Sequence, residues 1–130
     1  DAGGRDSVEL RSALVITERL FVPIQPSQFD IWTLNQMEEL VETAKAFNPD
    51  LLAKVIISRS SSNPSVHESD DTGKLLDDFD NLDLADITIR DRIAYRKAAK
   101  DGLAVIELKP KDPKAIREME ALYEEVFGNE

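Results

Sequence analysis

Three short apolar runs, at 20–24 (Leu-Phe-Val-Pro-Ile), 52–58 (Leu-Ala-Lys-Val-Ile-Ile-Ser) and near 85–89, are separated from one another by stretches of helical periodicity. Runs of that length, apolar and β-branched, read as strands buried on both faces, the habit of parallel sheets. Parallel neighbours need a long crossover, normally a helix. The predicted order is helix, strand, helix, strand, helix, strand, helix, helix. That order argues an α/β fold: a parallel β-sheet with flanking helices on both sides.

The first helix is expected over 7–17. Asp6 and Ser7 cap it, Glu9 completes a capping-box pattern, and Val8, Leu10, Ala13, Leu14 and Ile16 form its apolar face. Pro23 donates no ladder bond, so it is expected near the end of its strand. Ser27 is the expected cap of the next helix, with Asp30 in its first turn and Phe47 near its end. Trp32, Met37, Leu40, Val41, Ala44 and Phe47 repeat at three and four, and the tryptophan reads as core packing. After the second strand, residues 59–63 form a polar loop. Asn63 and Pro64 open a weak helix that Gly73 interrupts. A helix over 90–100 ends at Gly102, and 103–107 is a short extended piece. Asp112 and Pro113 start a last helix with the stripe Ile116, Met119, Leu122, Tyr123, Val126 and Phe127.

Composition excludes several classes. At 130 residues the chain is expected to form one domain, and 42% apolar residues are enough for a core. With no cysteine there is no disulfide, no thiolate zinc site and no thiol nucleophile, which fits a reducing cytoplasm. No apolar run approaches the roughly 20 residues of a membrane span, so no membrane partner is expected. His67 beside the carboxylates of 68–71 reads as a solvated face, not a metal cluster. A net charge of −10 repels nucleic acid, so any contact with DNA must come from a local patch. Such a patch exists: 90–100 carries five basic residues and one acidic. On a helix Arg92, Arg96 and Lys100 stack on one face while Ile93, Ala94 and Ala98 turn inward. The alternative is that this face merely balances Asp86, Asp91 and Asp101.

Ligands of open parallel sheets bind beyond the carboxyl ends of the strands. Four segments are expected there: 1–4, 23–27, 58–63 and 89–92. They are rich in Gly, Pro, Ser and Asn and carry Arg59 and Arg90. Either they converge on a ligand or they are ordinary turns, whose composition is similar. The opening Asp-Ala-Gly-Gly looks like the exit of a buried strand, yet no strand precedes it. The chain is therefore expected to be the downstream part of a larger α/β domain.

Taken in order, Asp-Ala-Gly-Gly-Arg-Asp-Ser (1–7), Val-Pro-Ile-Gln-Pro-Ser-Gln-Phe-Asp (22–30), Val-Ile-Ile-Ser-Arg (55–59) and Thr-Ile-Arg-Asp-Arg-Ile-Ala-Tyr-Arg-Lys-Ala (88–98) resemble the ParA-type partition ATPases. These are P-loop ATPases with a deviant Walker A motif, MinD among them. The resemblance implies a partial ParA/MinD-like fold without its N-terminal P-loop strand, and ATP and Mg as cofactors of the intact protein. Asp1 matches the Walker-B-type aspartate, which supports the magnesium ion or the attacking water. Gly3 and Gly4 match the switch glycines. Ser58 and Arg59 match the adenine contact, and Ile89, Arg90 and Asp91 match the loop on the adenine's other side. Arg92, Arg96, Lys97 and Lys100 lie where relatives bind DNA without sequence preference.

The resemblance also implies ATP-driven homodimers on the nucleoid, a ParB-like stimulating partner, and a role in plasmid or chromosome partition. The phosphate-cradling loop of the form KGGxGKT is absent, so the 130 residues alone are expected to be catalytically inert and to self-associate through the exposed sheet edge. A non-catalytic interaction module, using that edge or the acidic 68–86 surface, is the alternative. A P-loop ligase or reductase fits less well, since no cysteine is present to ligate an iron–sulfur cluster.

Overall fold

The computed structural model describes residues 8–26, 30–61, 63 and 68–128, with main chain only over 68–70. Along the chain run α1 (Val8–Ile16), β1 (Arg19–Ile24), α2 (Ile31–Phe47), β2 (Leu52–Ser60), α3 (Glu68–Leu76), β3 (Asp83–Arg90), α4 (Ile93–Asp101), a 3-10 turn (Val105–Glu107) and α5 (Pro113–Phe127). Among the described residues the three strands form one parallel sheet in the order β1-β2-β3. The class is α/β, three parallel strands flanked by helices, consistent with a partial P-loop NTPase-like fold.

Strand alternation sends side chains to two faces. Val22 and Ile24 of β1, Ala53 and Val55 of β2 and Leu84 of β3 meet Leu14 of α1, Leu34 and Val41 of α2 and Leu76 of α3 in one core. Lys54, between Ala53 and Val55, points the other way, and its ammonium lies 2.8 Å from Glu125 of α5. The Arg19 guanidinium of β1 donates to the Val126 carbonyl of the same helix. Helix α5 therefore covers the second face. Its N-terminal half joins α4 and the 3-10 turn in a smaller cluster of Ala94, Ala98, Val105, Leu108 and Ala115.

Pro23 is the fifth of six residues in β1. Leu52 N–H donates to the Glu18 carbonyl across the Arg19–Leu52 pair. Backbone groups alternate sides along a parallel strand, so Leu20, Val22 and Ile24 address β2. Arg19, Phe21 and Pro23 address the outer edge. The proline thus takes nothing from the β1–β2 ladder.

Several expectations are corrected. Asp30, not Ser27, caps α2: its carboxylate accepts from both the Thr33 N–H (2.9 Å) and the Thr33 hydroxyl (3.1 Å). Trp32 is 66% exposed and Phe47 72% exposed, so the tryptophan is not core packing; the buried positions of α2 are Leu34, Val41 and Ala44. Ile93 is likewise exposed, whereas Ala94 and Ala98 are buried. Gly73 lies inside α3 rather than interrupting it, and a Cβ there would meet Leu84 at ordinary contact distance. Residues 103–107 contain a 3-10 turn instead of an extended piece, because Glu107 folds back to accept the Ala104 N–H. Tyr123 and Phe127 are exposed and pack on each other, ring centroids 4.9 Å apart. Gly102 ends α4 at φ 67°, a left-handed conformation suited to glycine. The capping pair Asp6 and Ser7, and Pro64 and His67, lie outside the described residues.

Candidate functional site

Strand β2 does not stop at Ser58 but runs to Ser60, through a register shift relative to β3 between the pairs Ile57–Thr88 and Ser60–Arg90. Within that shift Arg59 has φ 55°. A non-glycine residue held there is strained, and such residues concentrate at functional sites. The turn leaves Arg59 exposed while Ser60 is buried. The Ser60 carbonyl accepts the Asp91 N–H at 2.7 Å, and the Arg90 guanidinium donates to the Ser61 carbonyl. The tips of β2 and β3 are thereby tied together. Ser58 and Arg59 at the end of β2 thus neighbour Ile89 and Arg90 at the end of β3 and Asp91 just beyond it.

Behind these tips, Glu118 of α5 gathers four donors. Arg92 donates through Nε (3.1 Å) and Nη2 (2.7 Å) to Oε2. The Arg90 N–H reaches Oε1 at 3.3 Å. The Tyr95 hydroxyl lies 2.7 Å from Oε1 and 3.1 Å from the Ala115 carbonyl, so its proton serves either. Both charged side chains are well buried, 15% exposed for Arg92 and 13% for Glu118. The hydrogen bond to Glu118 holds the Arg92 guanidinium above its ordinary pKa. Burial first, then the bond to Glu118, pushes the Tyr95 phenol well above its usual range.

This network breaks the basic row expected on α4. Arg92 is not in the helix: it is the N-cap residue, extended at φ −121° and turned onto α5. Arg96 is exposed and paired with Asp91, and Lys97 and Lys100 are exposed on α4. Asp1, Gly3 and Gly4, assigned to magnesium, water and the switch, lie outside the described residues. Among those described, no group of three His, Asp or Glu side chains could hold a metal ion. No helix among them is long and apolar enough to cross a membrane. The sequence gives Ser60 and Ser61 only as part of the 58–63 segment and Tyr95 only within the 88–98 motif, and it does not single out Glu118. The last could not have been found there, since nothing marks one glutamate on the polar side of an amphipathic helix.

No protein-family model matches the chain. It is similar to the maintenance of carboxysome distribution protein A of Halothiobacillus neapolitanus, at 26% identity over 110 residues, 83% of this chain and 49% of that protein. The chain thus spans about half the length of the curated relative it matches. At that identity and coverage the similarity is a distant one.

Proposed function

We propose that the chain is the downstream part of a ParA-like ATPase, an enzyme that uses ATP binding and hydrolysis to position a cargo. In this reading the intact protein dimerises on ATP, coats DNA without sequence preference, and is released when a ParB-like partner stimulates hydrolysis. The observation that carries it is the joining of the tips of β2 and β3 through Ser60 and Asp91, which sets Arg59 beside Arg90 where the resemblance puts the adenine. The base would rest between these tips. Magnesium and phosphates would depend on Asp1 and a glycine loop supplied elsewhere in the intact protein. Arg96, Lys97 and Lys100 would meet the DNA backbone. The carboxysome-distribution relative favours cargo beyond plasmids and chromosomes.

The test is ATP hydrolysis and DNA binding by the intact protein. Arg96→Glu is expected to weaken DNA binding and leave ATP affinity intact; unchanged DNA affinity removes α4 from the reading. A nucleotide-blind protein would instead favour the interaction-module reading.

A further inference from the structure

A cleft of about 420 Å³ opens between β3 and α5, and Arg90, Arg92, Lys114, Arg117 and Glu118 contribute to its lining. The proposed nucleotide reading draws on Arg90 alone of these and gives no role to Lys114 or Arg117. Four of these five side chains are cations, in a protein whose net charge is −10. The one carboxylate, Glu118, is already engaged: Arg92 donates to it twice, the Arg90 N–H once, and the Tyr95 hydroxyl lies 2.7 Å away. Glu118 therefore cancels Arg92 and leaves the charge of Arg90, Lys114 and Arg117 facing the cavity. Lys114 and Arg117 stand one helical turn apart on α5, both exposed. Arg90 faces them from the strand, with one guanidinium nitrogen held by the Ser61 carbonyl.

Like charges gathered at a concave surface repel one another unless a counter-ion joins them, and the concavity focuses their field. A neutral purine gains little from such a lining. A phosphate gains most, because guanidinium and ammonium groups supply short charge-assisted hydrogen bonds to its oxygens. We propose that the cleft between β3 and α5 is an anion site for a phosphate-bearing ligand, held by Arg90, Lys114 and Arg117. The phosphate can come from a small molecule or from a nucleic-acid backbone, and the chemistry of capture is the same.

The experiment titrates inorganic pyrophosphate into the intact protein at low ionic strength, with a non-hydrolysable ATP analogue present to fill any nucleotide site. A parallel arm titrates a short DNA duplex. The double variant Lys114→Glu/Arg117→Glu, whose sites are exposed, is expected to lower affinity roughly tenfold or more. Lys114→Ala/Arg117→Ala should act in the same direction, and Lys74→Glu on the exposed side of α3 should change nothing. Loss in the pyrophosphate arm assigns the cleft to a free phosphate ligand. Loss in the duplex arm alone assigns it to a phosphodiester backbone. If neither probe responds to the double variant, or if succinate binds as tightly as pyrophosphate, the proposal is overturned. A protein that ignores the ATP analogue yet shows the pyrophosphate effect keeps this site and loses the nucleotide reading.

Discussion

Single side chains set two boundaries that propensity alone leaves open. Asp30 fixes the start of α2, and the Thr33 backbone N–H, its strongest interaction, holds its carboxyl below the usual value of 3.8. A lowered folded-state pKa means that the cap contributes above pH 3.8 and is lost as pH falls through the depressed value. Asp30→Asn keeps a good capping side chain without the charge. Thermal midpoints measured from neutral pH down to the acid limb should therefore fall less steeply for the variant; parallel curves would dissociate the cap from acid stability. Arg92 fixes the start of α4 by leaving the helix for Glu118. Arg92→Ala would leave the Glu118 carboxylate with the Tyr95 hydroxyl and the Arg90 N–H but no countercharge, at a cost of about 1–3 kcal/mol read as a lower denaturation midpoint. Neither residue could be ranked from sequence. Ser27 and Asp30 are equally good caps on paper. The attraction between Arg92 and Glu118 acts across 26 positions that only the fold brings together.

At the level of elements, the sequence was far more legible, because strand and helix periods are local. All three strands, the long α2 and the caps at Gly102 and Asp112 were readable from residue type and spacing. What escaped was exposure: periodicity says that Trp32 and Phe47 share a side with core residues, not whether a neighbouring element covers them. The left-handed Arg59 also escaped, since arginine gives no sign of φ 55°. Strand β1 shows a further consequence of position. On the side of β1 turned away from β2, Pro23 carries no N–H, and edge prolines discourage pairing with another chain. Pro23→Val restores an N–H donor there in a β-favouring residue. Static light scattering of the 130-residue chain should then show association at lower concentration than for the parent. Equal association by the two would mean that the β1 edge does not govern self-pairing.

For the molecule as a whole, the question is how a chain of net charge −10 could hold DNA. Screening decides it: at physiological salt the field of distant carboxylates fades over about 8 Å, so a phosphate senses the nearest few charges. On α4 those are Arg96, Lys97 and Lys100. Arg96 must exchange Asp91 for phosphate, an exchange that costs little, because an exposed ion pair is worth under about 1 kcal/mol. Arg92 cannot make that exchange without abandoning a buried carboxylate. The two arginines, four residues apart and alike in sequence, should therefore separate in a salt titration of DNA affinity by the intact protein. If α4 meets DNA as proposed, Arg96→Gln removes a phosphate contact and should reduce the slope of log affinity against log salt by about one. Arg92→Gln should lower stability yet leave that slope unchanged, because its charge is already neutralised within the fold. A reduced slope for Arg92→Gln would mean that the Glu118 pairing opens when DNA binds, and an unchanged slope for Arg96→Gln would take the DNA contact off α4 altogether.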